Sequence, residues 1–499
     1  MFSCISDKAC THVIFFLCTA FVSILPALEL FKQEVIAVIG PQSTAVSRFV
    51  AHMATATQVP LLSFSVTDPA LSEHQYPYFF RIAHSDGMQM QAIASLVRMY
   101  KWRSVVIVHI DDDSGSSGAA AISAALDPLD IQVAQKVTVR PDSNRTTIDT
   151  VLTDLSEMQT RVFVVHMPQN LSLLFFSEAK YQGMMTNTYV WIASDLMIGT
   201  LDFATLESRD LNALQGLVGV RGYYANSSVL KAFTSEWKNQ ASSGSIVEEI
   251  PIYGLYAYDA TQMLAYAIDN YTKNGFNITF KNSTFPTDAA SSSSDLVELK
   301  VFEGGPLLRN SILQTQFAGT SGYIQLDSEH DLIRSEFQIV NIIDGELKPI
   351  GYWTNKTKLS LSAPDNVTDA SMGNAILPGS PWKIMWPGDS YEVPRGWVFP
   401  KNGRPLRIAV PLKRGFEQFL SYSKSNSTNV TTFSGYCIDV FLEALNYLPY
   451  TISYNFELFG NNTEPVYDDM IHLLAQKVWS HGHILYVFRN TLIKIIIFV

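Results

Sequence analysis

From Val35 onward, short and nearly continuous apolar runs alternate with stretches in which apolar residues return every three or four positions. Continuous apolar runs of strand length suit strands covered on both faces, and the intervening period suits amphipathic helices. The pattern therefore predicts repeated βαβ units around a parallel sheet. The predicted strands are Val35–Ile39, Val59–Phe64, Ser104–Ile110, Ile131–Val139, Arg161–His166 and Tyr189–Ala193. Of the helices between them, Met88–Tyr100 is clear: Met88, Ala92, Leu96 and Met99 fall on one face, as packing residues do.

Beyond Ser194 the alternation loosens. A helix is predicted near Tyr253–Ile268, a polar loop at Ser291–Ser294, and a hairpin-like stretch from Gly322 to Tyr352 with Asp344-Gly345 as its tight turn. From Trp353 to Pro405 Pro, Gly, Ser and Asn accumulate and periodicity fails, so this segment reads as a connector. A strand reopens at Leu406–Val410. The segment Cys437–Tyr447 then reads as a helix with Ile438, Phe441, Leu442 and Leu445 on one face.

Composition narrows the class. A chain of 499 residues exceeds one hydrophobic core, and 47% hydrophobic with 16% charged residues is the composition of a folded chain. A net charge of −11 without a Lys/Arg cluster argues against a nucleic-acid partner. Lys8 followed by the apolar run Val13–Leu25, Pro26 and Ala27 resembles a signal peptide over residues 1–27, and the run is short for a membrane span. At the other end, Leu492–Val499 is also too short to form a pore helix. Cys4, Cys10, Cys18 and Cys437 imply no disulfide framework. Asn-x-Ser/Thr sequons occur at Asn144, Asn170, Asn226, Asn270, Asn277, Asn282, Asn355, Asn366, Asn426, Asn429 and Asn461. They fit a glycosylated ectodomain in the secretory pathway, or else simple Ser/Thr richness of polar loops.

The run VIAVIGPQSTAVSRFVAHMATATQVPLLSFSVTDPALS at Val35–Ser72 resembles the amino-terminal domain of plant glutamate receptor-like proteins. YPYFFRIAHSDGMQMQAIASLVRMYKWRSVVIVHIDDD, RVFVVHM and YVWIASD resemble the same family in the same order. GWVFPKNGRPLRIAVP at Gly396–Pro411 and FSGYCIDVFLEALNYLPY at Phe433–Tyr450 resemble the first segment of its ligand-binding domain. The resemblance implies an α/β fold: a bilobed, type I periplasmic-binding-protein-like domain over residues 28–352, then a linker over 353–405. An incomplete type II lobe over 406–478 and an unrelated tail over 479–499 would follow. Two departures are expected. The family's opening strand and helix before Val35 look absent, and after Gln476-Lys477-Val478 the arginine that grips the ligand carboxylate, the second lobe and the pore are missing.

In amino-acid-binding members of this fold, a helix amino terminus after a strand receives the ligand carboxylate. Gly40-Pro41-Gln42-Ser43 occupies that place, with Ser43 either a ligand contact or a helix cap, and Ser65 and Thr67 follow the next strand as further hydroxyls. Asp195 ends YVWIASD and is either the partner of a ligand ammonium or an exposed loop residue. Where the family reads DDDYG this chain has Asp111-Asp112-Asp113-Ser114-Gly115, so the stacking aromatic is replaced by Ser114. Tyr436 and Phe459 are candidates in the second domain, with core packing as the other reading.

No cofactor and no metal site is expected. Three adjacent carboxylates cannot converge from an extended chain, and His481-Gly482-His483 lacks further ligands. Nor does an enzyme motif appear. The resemblance implies the extracellular amino-acid-sensing region of a ligand-gated, non-selective cation channel of the plasma membrane. Its expected ligand is an amino acid such as glutamate or glycine, and its expected partners are full-length receptor subunits in a homo- or hetero-oligomer. The alternative is a secreted decoy or dominant-negative subunit without channel activity.

Overall fold

The computed structural model describes residues 13–15, 24–240, 250–282, 299–364, 382–398, 406–411, 418–424, 431–446, 454–459, 485–487 and 496–498. Two compact units are present, Met1–Val398 and Phe399–Val499.

The first unit has two lobes, each on its own sheet. In the first lobe β1 (Val13–Phe15), β2 (Ala37–Ile39), β3 (Leu61–Ser63) and β4 (Phe79–Arg81) lie parallel in that order, with α1 (Ile24–Lys32) and α2 (Thr44–Thr57) between the first three. This arrangement corrects two expectations. The stretch read as signal-like supplies β1 and the start of α1, and the opening strand thought absent is in register with β2, Val13 opposite Ala37 and Phe15 opposite Ile39. An apolar run of about a dozen residues suits a leader core or a buried strand and helix equally well, and only the pairing partner distinguishes them.

α3 (Asp86–Met99) carries the chain into the second lobe. There β5 (Ser104–Ile110), α4 (Asp113–Leu126), β6 (Gln132–Val139), α5 (Arg145–Glu157), β7 (Val162–His166), α6 (Gln169–Tyr181), β8 (Val190–Ala193), α7 (Asp195–Ile198), α8 (Ser208–Ala213) and β9 (Val218–Gly222) follow. After α9 (Ser228–Gln240), α10 (Ile252–Lys273) packs back on the first-lobe core through Tyr256, Met263 and Ala267. β10 (Phe280–Asn282), β11 (Lys300–Phe302), α11 (Gly305–Gln314), β12 (Phe317–Ala318) and β13 (Tyr323–Ile324) come next. β14 (Glu336–Ile343), β15 (Glu346–Thr354) and β16 (Lys358–Ser360) return to the second sheet, whose order is β16-β15-β14-β9-β8-β7-β5-β6. Its β9-to-β6 portion is parallel, and the strands added from the far end are antiparallel. The chain thus passes between lobes after β4, after β9 and between β13 and β14.

Pleating divides the apolar runs between two cores. Val105, Ile107, Val162 and Val164 face α3 and α4, whereas Val106, Val108, Phe163 and Val165 face the opposite layer. The predicted strands and the helices at Met88–Tyr100 and Tyr253–Ile268 all form. The β14–β15 turn is the expected one, with positive φ at Asp344 (54°) and Gly345 (75°).

The stretch expected as a connector differs. Leu359 in β16 is buried, and Trp382, Ile384 and Trp386 sink into the second-lobe core without regular secondary structure. Asn341 fixes the return segment from both sides, its amide donating to Met385 O at 3.0 Å and its carbonyl accepting from Met385 N–H at 2.8 Å. Isolated tryptophans among Pro and Gly carry no period, so burial there is invisible to pattern reading. The Ser291–Ser294 loop lies outside the described residues.

In the second unit β17 (Leu406–Pro411) pairs in parallel with β20 (Tyr454–Phe459), and β18 (Ser421–Lys424) antiparallel with β19 (Thr431–Ser434). Between them α12 (Tyr436–Asn446) buries Cys437, Ile438 and Phe441. β21 (Leu485–Val487) and β22 (Ile496–Phe498) form a further antiparallel pair. Residues 460–484, with Gln476–Val478, His481 and His483, lie outside the described residues.

Candidate functional site

Brought to the carboxyl ends of the strands are nearly all the first unit's candidate groups, the position where open α/β sheets take ligands. From the first lobe come the turn after β2 and the loop after β3. Arg81, buried at the end of β4, shapes that loop: its guanidinium donates to the carbonyls of Val66 (3.1 Å), Asp68 (2.5 Å) and Leu71 (3.0 Å) and pairs with Asp331. Thr67 and Asp68 are thereby presented toward the second lobe.

Ser43 stands at the N-cap of α2 with extended backbone (φ −89°, ψ 135°), yet its hydroxyl makes no capping bond. Capping does not consume it. Ser65 donates to Gln42 O at 3.3 Å, which ties the two loops of the first lobe together.

Opposite them, α4 begins at Asp112, whose carboxylate accepts from Gly115 N–H at 2.7 Å. The Asp111–Asp113 run is thus a helix start, and Ser114 lies in its first turn. Two glycines allow α4 to sit this close. A Cβ on Gly115 would lie 1.9 Å from Ile110 O, and one on Gly118 would lie 2.3 Å from the His166 ring. Ion pairing reaches across the lobes here. Arg48 of α2 binds Asp68 through Nε (3.1 Å) and Nη2 (2.5 Å) and lies 3.7 Å from Asp113, while Ser117 of α4 donates its hydroxyl to the same Asp68. These donors hold the Asp68 carboxyl below its usual range against the opposing effect of burial.

Deeper lies a second set of contacts. Thr67 Oγ1 donates to Asp86 Oδ2 at 2.8 Å, and Asp86 also accepts from Gln89 Nε2 at 3.3 Å. Asp195 is 6% exposed, which removes the reading of it as an exposed loop residue. Its Oδ1 accepts from Gly222 N–H (3.0 Å), its Oδ2 accepts from Tyr253 of α10 (3.2 Å), and its own N–H donates to Gln89 Oε1 (3.0 Å). Burial above all, and then repulsion between the two carboxylates, pushes Asp195 up to about 6. Burial likewise raises Asp86 to about 7, with Thr67 and Arg81 opposing the shift. His166 is depressed to about 4 by burial and is therefore neutral. Its Nδ1 lies 2.8 Å from Ser194 Oγ, and its Nε2, without a hydrogen-bond partner, is 4.0 Å from Asp86 Oδ2. The cluster offers hydroxyl donors from one lobe and protonatable acceptors from the other.

Asp86, His166, Gln89, Tyr253, Arg48, Asp68 and Ser117 escaped the sequence reading. Ser85 caps α3 by accepting from Gly87 N–H at 3.3 Å, so Ser85-Asp86 looks like an ordinary helix start, and nothing local marks its partners. In the second unit Tyr436 is 59% exposed at the head of α12, its N–H donating to Gln418 O at 3.0 Å, and Phe459 ends β20 opposite Pro411.

Among the sequons in described residues, Asn144, Asn170, Asn226, Asn270, Asn277 and Asn282 are exposed and Asn355 is half-buried. Asn366, Asn426, Asn429 and Asn461 lie outside the described residues. No helix among the described residues is long and apolar enough to cross a membrane.

Comparison with known proteins places these observations. The model of the receptor family ligand binding region matches residues 11–345, a span that includes β1 and α1. Glutamate receptor 3.1 of Oryza sativa subsp. japonica is 34% identical over 459 residues, covering 91% of this chain and 48% of that protein. Glutamate receptor 3.4 of Arabidopsis thaliana is 34% identical over 91% of this chain and 47% of its own length, and glutamate receptor 2.4 of the same plant is 36% identical over 87% and 47%. The chain spans about half the length of these curated relatives. With a two-lobed α/β unit, strand-end polar groups from both lobes and a family match over most of that unit, the chain belongs to the receptor ligand-binding-region family and is similar to plant glutamate receptors.

Proposed function

We propose that this chain is the extracellular amino-acid-sensing region of a glutamate receptor-like, ligand-gated cation channel, and that the first unit binds an amino acid between its lobes. The observation that carries this reading is the set of polar groups at strand ends of both lobes, already linked by Thr67–Asp86 and Tyr253–Asp195. The α-carboxylate is received at the amino terminus of α2 by backbone donors and the uncommitted Ser43 hydroxyl, with Ser65 and Thr67 beside it. The ammonium is received by Asp195, whose ionised form the incoming positive charge favours. Glutamate and glycine are the ligands to try first. Tyr436 and Phe459 are kept as candidate contacts in the second unit, where the resemblance implies a separate amino-acid site. Full-length subunits are the proposed assembly partners, with cleft closure as the signal they transmit. The six exposed sequon asparagines support an extracellular location.

Calorimetric titration of the full chain with glycine and with glutamate tests the reading. Binding of either, weakened about tenfold or more by Asp195→Asn, is expected. No heat from either ligand, or an affinity that Asp195→Asn leaves unchanged, would sink it.

A further inference from the structure

A second concavity lies in the second lobe, at the far ends of α3 and α4 from the candidate cleft. Each helix has 14 residues; Arg98 stands roughly 18 Å of helix rise beyond Asp86, and the groove reaches back along α3 as far as Gln91. Its volume is about 480 Å³, within the range of small-molecule sites. The floor is apolar, from Ala94 and Met99 of α3, Ala125 of α4 and Leu129. Two cations stand on its walls, Arg98 in the last turn of α3 and Lys358 at the head of β16.

Both cations are available. Among the described residues neither Arg98 nor Lys358 meets a carboxylate, and both are exposed. Asp127 and Asp130 flank Pro128 and Leu129 in sequence but do not line the groove. Lys358 occupies the left-handed region (φ 56°), unfavourable for a side chain with a Cβ, and its Nζ rests 5.3 Å from the Trp353 ring centroid. Trp353 is itself buried and donates Nε1–H to Ser95 Oγ at 3.0 Å, which holds the ring in place under Lys358. The chain as a whole carries a charge of −11 and no basic cluster in its sequence, and the fold alone brings these two cations to one apolar groove. An anion is repelled by most of this molecule and welcomed here.

We propose that this groove is a second binding site, for a small carboxylate with an apolar aromatic or aliphatic body. The carboxylate sits between Arg98 and Lys358, and the body covers Ala94, Met99, Ala125 and Leu129. Arg98 supplies a planar pair of donors and Lys358 a point charge.

The test uses the full chain and 4-(trifluoromethyl)benzoate, followed by fluorine NMR. Saturable binding is expected, weakened about tenfold or more by Arg98→Glu and by Lys358→Glu. It should also be much weaker for the uncharged 4-(trifluoromethyl)benzyl alcohol, and untouched by excess glutamate or glycine. Both substitutions are on exposed side chains, and Arg98→Gln with Lys358→Gln provides a milder pair with the same direction of effect. Absence of saturable binding, binding that either charge reversal leaves intact, or displacement by an amino acid overturns the proposal.

Discussion

Thr67 and Asp86 join the two lobes by a reciprocal pair of hydrogen bonds, the threonine hydroxyl donating to Asp86 Oδ2 at 2.8 Å and the Asp86 N–H donating to Thr67 O at 2.8 Å. One partner follows β3 of the first lobe and the other opens α3 of the second. The pair therefore reports on the relative placement of the lobes.

Thr67→Val keeps the shape and removes one hydroxyl donor from a buried carboxyl group. A loss of about 1–2 kcal/mol in unfolding free energy is expected, together with weaker amino-acid binding. Denaturant unfolding of the full chain and calorimetric titration check both, and an unchanged midpoint would show that the bond contributes nothing.

Asp86 makes the stability of the first unit depend on pH in a direction that can be worked out. Its folded value of about 7 lies above the roughly 3.9 of an unfolded aspartate, so the folded state holds the extra proton between these values. Stability from this group is complete below the unfolded value and is lost as pH rises through about 7. His84 and His166, depressed to about 4 by burial, act oppositely: their contribution is present above about 6.5 and lost as pH falls. The total profile mixes both signs. Subtraction isolates the carboxyl, and the stability advantage of the native chain over Asp86→Asn should decline steadily from pH 4 to pH 7. A difference profile that is flat or rises would contradict the assignment.

How much of this was legible beforehand follows from which forces are local. Ser104–Ile110 has the same boundaries in the sequence pattern and in the structure, because seven consecutive strand positions leave a pattern in the chain itself. Val13–Phe15 carries too short a pattern to mark a strand, and its identity rests on pairing with Ala37–Ile39. The strand-end location of Ser43, Ser65, Thr67 and Asp195 was likewise legible, since strand ends follow from strands. Asp86 and His166 were not. Their significance arises from burial beside groups distant in sequence, which no period records.

Asp259 is a different kind of anchor. Fully buried in α10, it accepts from the N–H of Thr320 (2.7 Å) and Ser321 (2.8 Å) and from both their hydroxyls (2.9 and 2.6 Å), which fixes the turn between β12 and β13. Asp259→Ala leaves both backbone N–H groups and the Ser321 hydroxyl without their acceptor, the Thr320 hydroxyl keeping Leu255 O at 3.3 Å, and a loss of about 3 kcal/mol or more is expected in denaturant unfolding. A loss below about 1 kcal/mol would mean that water reaches the loop and replaces the carboxylate.

The exposed sequons give a test of compartment. If the chain passes through the secretory pathway of a plant cell, glycosidase treatment should increase its gel mobility by several glycans, and Asn144→Gln with Asn170→Gln should remove part of that shift. A band that glycosidase leaves unmoved would exclude the extracellular reading.

Gly118 offers a way to disturb the candidate cleft without replacing a polar group in it. A methyl group there would lie 2.3 Å from His166 Cδ2 and Nε2, far inside van der Waals contact. His166 cannot retreat freely, because it is 1% exposed and its Nδ1 is held by Ser194 Oγ at 2.8 Å. Either the ring turns and breaks that bond, or α4 lifts away from the end of β7. Lifting α4 would also pull Ser117 and Asp113 from their contacts with Asp68 and Arg48. Gly118→Ala should therefore cost about 1–3 kcal/mol in stability by overpacking. Adding Ser117→Ala should then cost less than it does in the native chain, because the two changes release one interface. Strict additivity of the two losses in a double-mutant cycle would show that α4 stays in place and only the imidazole moves.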